Sequence, residues 1–183
     1  MRILGLDPGS LHTGYGLLEK HGSSLKAVEA GRISSPKDLA LPLRLARLYS
    51  SLGELIDRLQ PELAVLETPF HGMNSRSLIV LAEARGVLLA GLAVRGLEIR
   101  EYSPAEIKSA VTGNGRADKT QVARMVRLLL EVRTPGTSGS GPGAGPGSGP
   151  VWAADATDAL AVAICCAQRL RLDRLKEQVR AAD

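Results

Sequence analysis

Apolar residues along the chain follow two different spacings, which predict ten secondary-structure elements. Short apolar runs bounded by turn-forming residues have the length of buried or half-buried strands. The predicted strands are Ile3–Asp7, Gly14–Glu19, Leu25–Ile33, Leu63–Glu67 and Leu97–Tyr102. Longer segments repeat leucine, alanine and valine at helical spacing. The predicted helices are Leu39–Leu59, Ser77–Val94, Pro104–Val111, Asp118–Val132 and, from about residue 154, Ala154–Arg180.

The order of these elements predicts an α/β domain with a mixed five-stranded sheet flanked by helices. Three strands follow one another as a meander, and helices then alternate with the last two strands. Ser103 precedes Pro104, and Glu106 follows at the third helical position. This is a capping box with proline at the first helical residue, which marks a helix start.

Length and composition limit the class of protein. A chain of 183 residues with 44% apolar residues suits a single folded domain spanning residues 1–183. There is no uninterrupted run of about 18 apolar residues, so we expect no membrane span. The N-terminus reaches Arg2 and Gly5 too early for a secretory signal. Adjacent Cys165 and Cys166 in a helical pattern are expected to be buried thiols of a reduced, cytoplasmic protein.

One segment differs from the rest in composition. Pro135 to Pro150 contains seven glycines and four prolines in sixteen residues. Such a segment has almost no apolar surface to bury, which predicts a flexible loop at about residues 134–151. Because the helix after it is too short to form a domain, we interpret the segment as an insertion into one domain.

Positive charge is concentrated in one part of the chain. Lys108 to Arg133 contains six basic and two acidic residues, which accounts for the whole net charge of +4. A basic face on a neutral body is typical of a protein that binds a polyanion. A solvated helix face would give the same pattern, so charge alone does not decide between the two.

Two carboxylates follow short apolar strands. Asp7 and Glu67 each end a strand and are each followed by loop-forming residues. If the strands are parallel neighbours, both carboxylates emerge at one edge of the sheet, where open α/β sheets place their ligands. A solvated loop charge or a helix cap is the alternative for either residue alone.

A second acidic pair opens the last predicted helix. Asp155 and Asp158 are three residues apart, and their face continues into apolar Val162 and Cys165. Helix capping is again the alternative, but capping acids seldom point toward the core. Four carboxylates without suitably spaced histidine or cysteine favour a hard divalent cation over zinc. Two such ions can hold a phosphodiester for hydrolysis, and the basic segment then has nucleic-acid phosphate as its partner.

Six short motifs in this order resemble the RuvC family of bacterial Holliday-junction resolvases. The motifs are Asp7-Pro8-Gly9-Ser10, Thr13-Gly14-Tyr15-Gly16, Glu67-Thr68-Pro69-Phe70, Ala84-Arg85-Gly86-Val87, Asp118-Lys119-Thr120-Gln121-Val122 and Asp155-Ala156-Thr157-Asp158-Ala159-Leu160-Ala161. Each is weak alone, but together they span nearly the whole chain. The resemblance implies an RNase H-like homodimer that cuts four-way DNA junctions symmetrically and leaves 5′-phosphate and 3′-hydroxyl ends. It also implies that the protein acts together with the RuvA–RuvB branch-migration complex.

The resemblance also implies roles for individual residues. Asp7, Glu67, Asp155 and Asp158 match the metal-binding acids, with Mg²⁺ as the expected metal, Mn²⁺ able to substitute, and two ions per site. Lys108 and Lys119 match basic positions that handle DNA, Phe70 matches an aromatic that stacks on bases, and the helix at Ser77–Val94 matches the dimer interface. From the residues themselves, Asn74, Arg76 and Arg116 are candidate phosphate-binding groups, with solvated helix-start or turn residues as the alternative.

Three other functions are compatible with parts of this pattern. Asp7-Pro8-Gly9 followed by Thr13-Gly14 resembles the phosphate loop of sugar-kinase and actin-like ATPases, but those need two such domains. A different RNase H-like nuclease is opposed by Phe70 and by the helix that contains Arg85-Gly86. A junction-binding protein that does not cleave DNA would be supported by a missing acid, and none is missing. The Pro135 to Pro150 segment departs from the family pattern, which has a short connection there.

Overall fold

The computed structural model describes residues 1–69, 75–131 and 152–180. Five strands are present in this part of the chain: β1 (Arg2–Asp7), β2 (His12–His21), β3 (Ser24–Ser34), β4 (Leu63–Glu67) and β5 (Glu98–Tyr102). Five helices accompany them: α1 (Leu41–Leu59), α2 (Ser75–Val94), α3 (Pro104–Thr112), α4 (Lys119–Glu131) and α5 (Ala154–Arg180). The order of elements agrees with the sequence prediction. Phe70, Asn74 and the Pro135 to Pro150 segment lie outside the described residues.

The strands form one mixed sheet in the order β3-β2-β1-β4-β5. β1, β2 and β3 pair as an antiparallel meander, whereas β4 and β5 are parallel to β1. The predicted fold class is therefore confirmed. The predicted capping box is also formed, because the side chains of Ser103 and Glu106 bond to each other's backbone N–H groups.

Side chains of the central strands alternate between two cores, one on each face of the sheet. Leu4 and Leu6 of β1 pack with α1 and α2, whereas Ile3 packs with α3, α4 and α5. Cys165 and Cys166 of α5 lie fully buried in the second core, and burial raises the pKa of their thiols to about 12 and about 11. The expectation of a buried pair of free thiols is confirmed.

Helix α5 packs unusually close to the sheet because three strand positions have no side chain. A Cβ atom at Gly5 would lie 2.0 Å from the backbone oxygen of Ala159, and one at Gly14 would lie 2.0 Å from that of Asp155. At Gly16 a Cβ atom would lie 2.7 Å from Leu160 Cδ2. The glycines therefore bring the first turn of α5 directly over β1 and β2.

Helix α2 qualifies one sequence expectation. By length and composition it is apolar enough to cross a membrane, although Glu83 and Arg85 interrupt it. The lack of an uninterrupted apolar run therefore does not exclude such a helix, because its mean hydropathy remains high despite two charged residues. Only 22% of the apolar window is buried. A single helix of this kind is weak evidence for a membrane span, because a helix covered by another protein has the same composition.

Candidate active site

Two acidic side chains lie at the same edge of the sheet. Asp7 ends β1 and Glu67 ends β4, and the parallel register pairs Leu6 with Leu66 immediately before them. The structure thus places both carboxylates at the carboxyl ends of adjacent parallel strands, as the sequence analysis expected.

The turn after Asp7 is fixed by a buried threonine. Thr13 Oγ1 donates a hydrogen bond to the Gly9 carbonyl at 2.7 Å and accepts one from the Gly9 N–H at 3.3 Å. A Cβ atom at Gly9 would lie 2.2 Å from the His12 carbonyl oxygen, so this turn excludes any larger residue. The chain direction directly after Asp7 is therefore set by the sequence of this turn.

The second acidic pair reaches the same place from the first turn of α5. Asp155 and Asp158 are half-buried there, and Val162 and Cys165 farther along the helix are 1% and 0% exposed. The first turn of a helix favours negative charge, because the macrodipole is positive at that end. The close packing of α5 on Gly14 brings these two carboxylates to the sheet edge that holds Asp7.

The raised pKa of Asp7 shows that the four carboxylates lie close enough to interact electrostatically. Burial and nearby negative charge raise the pKa of Asp7 from 3.8 to about 7. The negative charges belong, largest effect first, to Asp158, Glu67 and Asp155. Burial and the charge of Asp158 also raise the pKa of Glu67. Carboxylates arranged in this way need added positive charge to be ionised together.

Basic side chains supply part of that charge. Lys119 Nζ lies 2.6 Å from Asp158 Oδ2, and this hydrogen bond raises the pKa of Lys119. Arg32 Nη1 of β3 lies 3.4 Å from Asp155 Oδ2. Lys108 and Lys119 line one cleft of about 280 Å³ together with Glu67 and Asp158.

The four carboxylates are chemically suited to a divalent metal, although in this structure they do not surround one common point. Among the residues that the structure describes, no three acidic, histidine or cysteine side chains form a group that encloses a metal ion. Two of the four acids are instead paired with Lys119 and Arg32. The four side chains offer only oxygen ligands, which suit Mg²⁺ and similar hard cations.

The other predicted site residues lie in different places. Arg76 is exposed in the first turn of α2, next to a separate cleft that none of the four acids lines. Arg116 is exposed in the turn between α3 and α4, where its N–H donates to Asn114 Oδ1 at 3.0 Å. Phe70 and Asn74 belong to the part of the chain that the structure does not describe. Of the six predicted DNA-binding residues, only Lys108 and Lys119 are brought to the acids in the described ranges.

Two basic residues near the acids were not predicted as site residues. Arg32 is far from the basic segment in sequence and reaches Asp155 because the sheet register pairs it with Gly14. Arg85 of α2 lines a cleft with Asp7 and Glu67 and forms an ion pair with Glu101 of β5. The motif Ala84-Arg85-Gly86-Val87 was the only sequence signal for Arg85, and Arg32 had none.

A mixed five-stranded sheet of this topology, with acids at the ends of β1 and β4 and in α5, defines an RNase H-like nuclease. Comparison with protein-family models matches residues 3–140 to "Crossover junction endodeoxyribonuclease RuvC". The chain belongs to the RuvC family and is a crossover junction endodeoxyribonuclease. Membership in this family of RNase H-like nucleases implies the use of divalent metal ions.

Similar proteins and structures agree with this assignment. A crossover junction endodeoxyribonuclease RuvC of Chloroflexus aggregans is 40% identical over 165 residues, which cover 90% of this chain and 92% of the relative. A relative of the same name in Anaeromyxobacter dehalogenans is 44% identical over 165 residues, covering 90% and 80%. The structure of Thermus thermophilus RuvC in complex with a Holliday junction substrate superposes with a TM-score of 0.77 at 25% identity, covering 94% of this chain and 96% of that one.

Proposed function

We propose that the protein resolves four-way DNA junctions by paired, metal-dependent cuts in opposing strands, leaving 5′-phosphate and 3′-hydroxyl ends in recombination and repair. The observation that carries the proposal is the convergence of Asp7, Glu67, Asp155 and Asp158 from three elements, with Lys108 and Lys119 at the same cleft. In this arrangement negative groups suit metal ions and positive groups suit DNA phosphates. A generic nuclease would share the acids, but the family assignment favours a junction substrate.

The four carboxylates are the groups that would hold the metal, with Mg²⁺ as the proposed ion, Mn²⁺ as a substitute and two ions per site. Bound there, the metal would activate a water molecule and stabilise the leaving oxygen of the phosphodiester. Asp7 is the central member, since all three other acids raise its pKa. It is half-buried and lines a cleft together with Glu67.

The two lysines have a different task from the acids. Lys119 is 70% exposed at its side chain although it pairs with Asp158, so its ammonium can move to an incoming phosphate without a change in the fold. Lys108 lines the same cleft beside Glu67. We propose that both bind the phosphate that is cut. Arg76, Arg116, Asn74 and the stacking residue Phe70 are proposed as DNA contacts farther from the acids.

Two opposed cuts require two active sites, and we propose that α2 supplies the contact between two copies. Its sheet-facing side buries Ala84, Leu88, Gly91 and Leu92, whereas Ile79 remains 59% exposed. An apolar helix with so much exposed surface is typical of a protein interface. A protein that sediments as a 19.3 kDa monomer with and without junction DNA would contradict the dimer.

Three further proposals rest on the sequence or the family rather than on geometry. We propose from the length of the chain that it is one domain, and from its adjacent cysteines that it is cytoplasmic. We propose from the family alone that it works with the RuvA–RuvB complex.

The test is the pattern of products on a synthetic four-way junction labelled in turn on each strand. With Mg²⁺ we expect paired nicks at symmetric positions in two opposing strands, ligatable ends, and no cutting of a linear duplex of the same sequence. Scattered nicks, or equal cutting of the linear duplex, would contradict the proposal and support a general nuclease. Binding without any cutting would support a junction-binding protein.

A further inference from the structure

A second cleft lies beside the turn that follows Asp7, on the face of the sheet that α1 and α2 cover. It has a volume of about 470 Å³ and is bounded by the Gly9 to His12 turn and by side chains of both helices. Leu81 lines this cleft and also the smaller cleft that contains Asp7 and Glu67. The two clefts are therefore neighbours, although none of the four acids lines the larger one.

The charge of this cleft is positive and unbalanced. Arg44 of α1 and Arg76 of α2 line it, and none of its lining residues is acidic. The Nε atom of Arg44 is buried without a hydrogen-bond partner, and the guanidinium of neither arginine has a partner in the described part of the chain. Several other described arginines do have acidic partners. These pairs are Arg58–Glu29, Arg85–Glu101, Arg95–Asp57, Arg100–Glu98 and Arg169–Glu106.

Both arginines occupy positions where a cation weakens its own helix. Arg44 and Arg76 lie in the first turns of α1 and α2, and neither helix has an acid in that turn. A positive charge at the positive end of the helix dipole is unfavourable by about 0.3–1 kcal/mol. Two arginines at two such helix ends, facing one cleft without a counter-ion, form a site whose missing partner is an anion.

We propose that this cleft binds a backbone phosphate of the DNA strand that continues from the active site, with Arg44 and Arg76 as its two ligands. The inference rests on the proposed function, because DNA is the polyanion that the neighbouring cleft would hold. A phosphodiester fits the chemistry, since two guanidinium groups can each donate to its non-bridging oxygens. Such a phosphate contact would not depend on the base sequence and would position the DNA relative to Asp7.

The test compares Arg44→Gln with Arg47→Gln in binding to a four-way junction without metal, at several salt concentrations. Arg47 is the matched control, because it lies on the same helix and carries the same charge, but it donates to the Ser34 carbonyl at 3.2 Å and does not line the cleft. For Arg44→Gln we expect the slope of log affinity against log salt to fall by about 0.9, and affinity near 0.1 M salt to fall about tenfold. Arg44→Lys should keep most of the slope. Arg76→Gln should lower the salt slope and the affinity in the same way, and because Arg76 is exposed this substitution should not disturb folding.

Thermal unfolding of the same variants separates binding from folding. Because the charge at residue 44 opposes the helix dipole, Arg44→Gln should unfold at the same or a slightly higher temperature than the unmodified protein. Equal salt slopes for Arg44→Gln and Arg47→Gln, with normal junction binding by the unmodified protein, would overturn this inference and leave the proposed function intact. Failure of the unmodified protein to bind the junction would overturn both.

Discussion

Lys119 Nζ lies 2.6 Å from Asp158 Oδ2, and this ion pair joins the basic and acidic halves of the site. Asp158 is also the carboxylate with the largest Coulombic effect on the pKa of both Asp7 and Glu67. The lysine of α4 therefore partly neutralises the residue that most strongly repels the strand acids. Because the Lys119 side chain is largely exposed, its ammonium group can leave Asp158 and pair with a phosphate when DNA binds.

Replacement of this lysine should impair cleavage more than binding. A preorganised charge at the reacting phosphate contributes about 10²–10³-fold to rate, so we expect Lys119→Gln to lower single-turnover cleavage by that factor. Junction affinity should fall less than about tenfold, because one phosphate contact of several is lost. Lys119→Arg should recover part of the rate. Unchanged single-turnover cleavage by Lys119→Gln would show that the ammonium does not act on the reacting phosphate.

Loss of the ion pair between Arg32 and Asp155 should favour metal binding in the absence of DNA. The arginine side chain is 44% exposed, and exposed pairs are worth at most about 1 kcal/mol. We therefore expect Arg32→Gln to strengthen Mn²⁺ binding up to about fivefold in calorimetric titration of the DNA-free protein. Arg47→Gln removes the same charge away from the acids and should not change the affinity. Equal affinities for the two variants would exclude competition between Arg32 and the metal.

The raised pKa of Asp7 makes the metal-free protein less stable as pH increases. The folded state holds the proton up to about pH 7, whereas the unfolded chain releases it near 3.8. Stability linked to this proton is therefore present below the unfolded value and is lost between these two pH values, by up to about 4 kcal/mol. In EDTA we expect Asp7→Asn to raise the unfolding temperature at pH 8, with a gain that shrinks toward pH 4.

Two comparisons check this prediction. Asp38→Asn changes an exposed acid and should leave the unfolding temperature within the small range of ordinary surface substitutions. Mg²⁺ should stabilise the unmodified protein at pH 8 and have a smaller effect on Asp7→Asn. A metal-free Asp7→Asn variant with the same unfolding temperature as the unmodified protein at every pH would contradict the coupling among the four acids.

A methyl group at Gly14 should displace the first turn of α5. The added Cβ atom would lie 2.0 Å from the backbone oxygen of Asp155, which cannot move aside as a flexible side chain could. We expect Gly14→Ala to lower the free energy of unfolding by about 1–3 kcal/mol, measured by urea denaturation. Cleavage by the folded fraction should fall by about 10²-fold, because displacement of reacting groups by about 1 Å has an effect of this size. Native stability with native cleavage would show that α5 does not need this close approach.

The sequence was sufficient to predict the elements and the acids, because both depend on local patterns. The strand at Leu63–Glu67 was predicted with its observed bounds, and the last helix begins at Ala154 as expected. The carboxylates could be found because each follows an apolar strand or opens a helix. The shared sheet edge of Asp7 and Glu67 depended on the condition that β1 and β4 are parallel neighbours, and the sheet meets this condition.

Long-range contacts could not be predicted from these patterns. Arg32 reaches Asp155 only through the register of β3 on β2, and this register shifts at an irregularity next to Leu17 and Leu18 that no local pattern indicated. Gly5 and Gly14 are ordinary strand glycines in the sequence, and their role depends on where α5 crosses the sheet. The family resemblance indicated α2 as an interface, but two charged residues concealed how apolar this helix is.

The most direct test of the central claim compares Asp7→Asn with the unmodified protein on one labelled four-way junction in Mg²⁺. We expect junction binding to be retained and cleavage to fall by at least about 10³-fold, because a metal ligand contributes several kcal/mol to the stabilisation of the transition state. Cleavage by Asp7→Asn at the rate of the unmodified protein would contradict the assignment of the four carboxylates as the metal-dependent active site.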